Sequence, residues 1–316
     1  MSGKEEKRRN PDGFQAFLTK SRRKFFRQDV RGGLFRASLI SGDMPRFFLY
    51  VQREKEMDEI KLSSEKKEAV LREVEQLLRL YRHGDLGGEV MPEDSNPALE
   101  RSSKENYLYF TLPMALNYQR NSYKLWEAAN AAYLDIETRD MFLPECAAAM
   151  PQEDLRNKLL KYKVALQPNK HVEIWHRLCA TFADQFQGDV RNLFLHNDHS
   201  VKKVKEYILA DKKSFPYLSG TKILNYWLYV MTRYTDAKLR DRQYITVAPD
   251  THVIQASERL GLIAHDEAEK PAIREKVSLL WEEVLKDSEI CPIDIHTPLW
   301  LWSRGGFKVK TGEYDP

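Results

Sequence analysis

Two side chains between positions 215 and 263 have types that could do chemistry together, one as an amine nucleophile and the other as its carboxylate partner. Lys222 follows the turn Ser219-Gly220-Thr221 and opens an aromatic helical pattern, KILNYWLYVMTRY. A lysine amine becomes a nucleophile near neutral pH when desolvation or a nearby positive potential lowers its pKa. A helix N-terminus beside Tyr226, Trp227 and Tyr229 offers both. Asp250 follows Pro249 and precedes a second helical pattern with Val253, Ile254, Leu260 and Leu262 on its apolar face. Placed there it caps the helix by accepting orphan N–H groups, and a carboxylate so fixed suits a cation developing at a sugar carbon. Each residue also has a plainer reading, as a surface lysine and as a structural cap.

The element that must hold Lys222 is the turn before it. A helical pattern over 201–209, the segment Leu218-Ser219-Gly220-Thr221 and a second helix form a helix-hairpin-helix pattern. Gly220 permits a sharp turn and close approach of backbone N–H groups to a phosphate, to which the next helix presents its positive dipole end. Ser219, Gly220 and Thr221 are therefore candidate DNA-backbone contacts that carry no base specificity. A helical hairpin with one glycine is also a common structural joint.

The rest of the chain is a succession of helical patterns with short breakers. Val70, Val74, Leu77, Leu78 and Tyr81 mark a helix over 63–83, with a serine cap and Gly84 beyond its end. Further helices are expected over 106–119, 122–134, 152–166 and 172–186. Alternation of β-branched residues is scarce, so the fold class is all-α. The segment 83–97, HGDLGGEVMPEDSNP, has no apolar period and reads as a linker.

At 316 residues the chain can bury a sizeable core, and 42% hydrophobic with 31% charged residues is a globular profile. No run of eighteen apolar residues is present and the charged start lacks the apolar core of a secretory signal, so a cytoplasmic protein without a membrane partner is expected. Cys146, Cys179 and Cys291 are far apart, and no metal or other cofactor is expected. Net charge is only +3, but positions 1–40 gather Lys7, Arg8, Arg9, Lys20, Arg22, Arg23, Lys24 and Arg27 among phenylalanines. That pattern fits phosphate neutralisation or a solvated amphipathic helix.

GTKILNYW followed by APDTHVIQASERLGL resembles the active-site region of the helix-hairpin-helix DNA glycosylase superfamily, and KILNY with CPIDIHTPLWLWSR resembles its archaeal 8-oxoguanine glycosylase branch. The resemblance implies that Lys222 forms a Schiff base and that Asp250 assists. It also makes LPMALNYQRNSYKLW similar to the first core helix, which assigns Gln119 as the wedge that replaces a flipped nucleotide, with Arg120 and Asn121 at the DNA backbone. His296, Trp300 and Trp302, with Tyr226, become candidates for the base pocket, since an extruded base needs a stacking wall and a polar group at its edge. Two positions depart from the family pattern. Leu218 stands where the hairpin's first glycine is usual, and His296 stands where the 8-oxoguanine branch has an aspartate.

The expectation is a two-lobed glycosylase-like domain over 99–316, with lobe one at 99–134 and 250–316 and lobe two at 135–249. Residues 1–98 would be an N-terminal extension. The expected partner of the whole protein is double-stranded DNA with a damaged base or abasic site, acted on by a monomer as N-glycosylase and lyase. Two rival readings stay open. NYLYFTLPMALNY and RLCATFADQFQGD also resemble queuosine salvage glycohydrolases, which cleave a free nucleotide, and a non-catalytic DNA-binding module would use Lys222 only as a phosphate contact.

Overall fold

The structure is a computed structural model that describes residues 62–87, 91–270 and 272–309. The basic stretch at 1–40 lies outside the described residues. Among those described, regular structure is helical throughout: twelve α-helices joined by 3₁₀ turns and no strand. The all-α expectation holds.

Helix α1 (Ser64–His83) begins where Ser63 Oγ accepts the Lys66 N–H, and it ends at Gly84, whose left-handed backbone returns its N–H to the carbonyls of Leu80 and Tyr81. Its apolar stripe joins a core with Val253, Val277, Trp281 and Leu299. Burial of each such aliphatic side chain contributes about 1.5–3 kcal/mol before chain entropy is counted. The helix is thus an integral part of the C-terminal core and no separate extension.

The segment 91–97 is likewise no linker. Pro92–Asp94 forms a 3₁₀ turn with Pro92 and Glu93 buried. Three phenols fasten it: Tyr226 donates to Glu93 at 3.1 Å, Tyr234 to Asp94 at 2.9 Å and Tyr109 to the Ser95 carbonyl at 3.2 Å.

Helices α2 (Lys104–Thr111), α3 (Ser122–Leu134), α4 (Pro144–Ala149), α5 (Gln152–Lys161), α6 (Lys170–Phe186), α7 (Val190–His196), α8 (Val201–Ala210) and α9 (Thr221–Tyr234) build a second and larger core. Its centre is aromatic, with Trp126, Trp175, Trp227, Phe110, Phe142 and Phe182 fully buried. The helix expected over 106–119 stops at Thr111 because Pro113 has no N–H to continue the ladder, and a 3₁₀ turn, Pro113–Leu116, follows.

The C-terminal core consists of α1 with α10 (Thr251–Arg259), α11 (Ile273–Leu285) and α12 (His296–Arg304). The lobes therefore differ from the expected division. Side chains of 107–133 pack with those of 141–245, and the partner of 250–302 is α1. The two cores meet along α9, where Tyr229 and Thr297 share a hydroxyl hydrogen bond of 3.0 Å, and again at the 3₁₀ turn beyond it, where Arg242 pairs with Asp294 at 2.6 Å.

Candidate active site

Lys222 is the second residue of α9, directly after its N-cap, Gly220, and Thr221. Gly220 has φ −68°, an ordinary value, so its lack of a side chain serves space: a Cβ would sit 3.1 Å from the Tyr217 carbonyl oxygen. The left-handed residue of this turn is Tyr217, with φ 60°. The N–H groups of Ser219 and Gly220 donate within the turn, to the Phe215 and Tyr217 carbonyls at 3.0 and 2.9 Å. These two amides are already engaged, which corrects their expected role as a phosphate cradle. None of Ser219, Gly220 and Thr221 lines the cavity into which Lys222 faces.

That cavity has a volume of about 330 Å³ and lies where the two cores meet. Lys222 and Tyr226, one turn apart on α9, line one wall, and Asp250, His296 and Trp300 line others. Lys222 is exposed as a residue, but the surrounding protein strips water from its ammonium and lowers its pKa. Asp250 opposes that fall and Arg274 adds to it. Asp250 is the N-cap of α10, its Oδ1 accepting the Val253 N–H at 3.0 Å.

His296 is buried at the first position of α12, and its Nδ1 has no hydrogen-bond partner. Its ring centroid lies 5.5 Å from that of Tyr226. Burial is the main cause that lowers its pKa to about 4; Asp250 pulls the other way and Lys222 reinforces the fall. At neutral pH it is therefore an uncharged imidazole, able to give one hydrogen bond and accept one. An unpartnered nitrogen in such a place costs free energy unless a ligand or water answers it.

Trp300 stands one turn after His296, its ring edge-on to His252 at 5.6 Å and covered by the Arg304 guanidinium at 4.8 Å. Trp302 does not join it. Two helical residues rotate about 200°, so Trp302 faces the C-terminal core, where it meets Phe307 at 4.7 Å and donates Nε1–H to the Val309 carbonyl. Its assignment to the base pocket is corrected on that ground.

The opposite edge is the segment before α3. Gln119 is exposed there with a left-handed backbone, φ 50°, uncommon for any residue with a side chain. Arg120 lines the cavity, but its guanidinium donates to the Val164 and Lys163 carbonyls at 2.6 and 3.1 Å, and burial lowers its pKa to about 10. It ties two loops together through these bonds, while its Nε has no hydrogen-bond partner. Asn121 caps α3 by accepting the Lys124 N–H.

One residue at the back of the site had no signal in the sequence. Glu93 is 1% exposed, and burial pushes its carboxyl up to about 7, against smaller opposing pulls from its own backbone amide and the Tyr226 phenol. Its Oε1 has no partner, and the nearby Trp126 indole N–H, also unpartnered, does not close the bond. Within an acidic, proline-containing segment nothing distinguished it from a solvated carboxylate.

Among the described residues no group of three or more His, Cys, Asp or Glu side chains is arranged to hold a metal ion. No helix there is long and apolar enough to cross a membrane. No family model matches the chain, and a search of curated proteins finds no match.

Proposed function

We propose that the protein is a DNA N-glycosylase with lyase activity that removes a damaged or deaminated base through a lysine Schiff base. The observation that carries this reading is the shared cavity of Lys222, Asp250 and His296, three groups far apart in the chain with complementary chemistry. A site of about 330 Å³ is of the size that takes a small ring compound.

In this reading the target nucleotide leaves the duplex and enters the cavity, and Gln119 at the rim fills its place. The base lies between Trp300 and Tyr226, with its edge toward the unpartnered Nδ1 of His296. Asp250 takes a proton from the Lys222 ammonium through the carboxylate oxygen that does not cap α10. The neutral amine attacks C1′, the N-glycosidic bond breaks, and its electron pair leaves with the base, which takes up a proton. Loss of a proton from nitrogen and opening of the sugar ring give the Schiff base. Removal of a C2′ proton then breaks the C3′–O bond and releases the 3′ phosphate by β-elimination.

Borohydride reduction tests this directly. On duplexes that each carry a single damaged base or abasic site, the wild-type chain should be trapped covalently and Lys222→Gln should not. Full strand cleavage by Lys222→Gln, or release of base from a free nucleotide with no trapping on any duplex, would remove the proposal.

A further inference from the structure

The face of α9 that presents Lys222 and Tyr226 to the first cavity continues to a second one. Residues 222, 226, 229 and 233 fall at helical spacing on one stripe, and Tyr229 and Arg233 line a cavity of about 800 Å³ near the end of the helix. Its other walls come from the last turns of α1, the segment 237–242 and the segment 289–294.

The charge of this cavity is unusual for an idle surface. Arg82, Arg233, Lys238 and Arg242 line it, against Glu289 and Asp294. Arg242 is paired with Asp294, and its Nε is buried without a hydrogen-bond partner. Arg82, Arg233 and Lys238 form no ion pair with a carboxylate among the described residues. Cations gathered in a concavity repel one another, and a phosphate answers them with two charges and an oxygen geometry that matches the arginine fork.

The same walls include the aromatic side chains of Tyr81 and Tyr229 beside the cations. Tyr229 is held by its hydroxyl hydrogen bond to Thr297, so this part of the wall is set before any ligand arrives. The volume lies within the range of small-molecule sites, and a concave site of this kind suits a compact anion better than the continuous backbone of a duplex.

We propose that this cavity binds a small phosphorylated ring compound of the mononucleotide class, separately from the Lys222 site. The inference stands on these walls and does not rest on the glycosylase reading.

Isothermal titration of the full chain with adenosine 5′-monophosphate tests it, with adenosine and an undamaged duplex as parallel titrants. Arg233 and Lys238 are exposed, so Arg233→Gln/Lys238→Gln should fold, as circular dichroism would verify. Expected are saturable binding of the monophosphate at least about tenfold tighter than of adenosine, its loss by about tenfold or more in the double variant, and its retention in Lys222→Gln. The proposal is overturned by absent binding, by equal affinity for adenosine or by indifference of the double variant. Loss in Lys222→Gln, which would put the nucleotide in the first cavity, or an effect of the double variant on duplex binding alone would overturn it equally.

Discussion

Tyr226 joins two buried groups of unlike chemistry: its hydroxyl donates to Glu93 Oε2 at 3.1 Å, and its ring lies 5.5 Å from that of His296. Glu93 is the more costly neighbour to keep. Its folded value of about 7 exceeds the ordinary 4.5, so the folded chain holds the proton more tightly than the unfolded one. The resulting stabilisation is complete below pH 4.5 and is lost as pH rises through 7. Glu93→Gln keeps an acceptor for Tyr226 and does not ionise. Its stability relative to the wild type should rise between pH 4.5 and 7, by on the order of 3 kcal/mol at most, and stay level above that. Urea unfolding of both proteins across pH 4–8 measures the difference, and parallel curves would refute it.

If the proposed Schiff-base chemistry holds, Lys222→Gln should reduce base release and strand cleavage by about 10³-fold or more, as loss of a nucleophile does. Because Lys222 is exposed as a residue, the melting temperature should hardly move. Single-turnover assays with a thermal melt separate this outcome from misfolding.

On the proposed reading Asp250 adds a catalytic duty to the cap it provides, and different substitutions divide the two. Asn keeps the cap on the Val253 N–H, so Asp250→Asn should stay within about 0.5 kcal/mol of wild-type stability yet lose about 10²-fold or more in rate. Asp250→Ala should lose a further ~1 kcal/mol of stability. Denaturant melts and rates on the same three proteins decide this.

Trp300 and Trp302 should respond in opposite ways. Trp302→Ala removes a ring buried against Phe307 and should cost about 3–5 kcal/mol. Trp300→Ala should cost less, since Trp300 is half-buried at the cavity, and on the proposed reading it should instead raise KM for damaged duplex. Equal stability losses with unchanged KM would contradict the placement of Trp300.

Gln119 carries a left-handed backbone that costs a residue with a side chain on the order of 1 kcal/mol or more. Gln119→Gly should therefore be neutral or stabilising by up to ~1 kcal/mol, after the greater freedom of glycine in the unfolded chain is counted. The same substitution should weaken lesion processing if the side chain is the wedge. A destabilised variant with full activity would reverse both expectations.

The features legible in the amino-acid order are those with local physical causes. Ser63 and Asp250 are caps because a short polar side chain reaches an N–H three residues ahead, and the α1 stripe follows from apolar side chains repeating at the helical period. Lys222 and Asp250 could be singled out because each lies beside a helix start. Burial is decided by residues that meet only in the folded chain. Glu93 loses its water to Tyr226 and Trp126, the former 133 positions away, and an acidic segment that reads as solvated becomes part of the interior. Trp300 and Trp302 are equal in the sequence, and the packing of α12 against α10 and α1 assigns one to the cavity and the other to the core. The unpartnered nitrogen of His296 has the same origin: a hydrogen bond withheld is a property of the surroundings, and no spacing of residues encodes it.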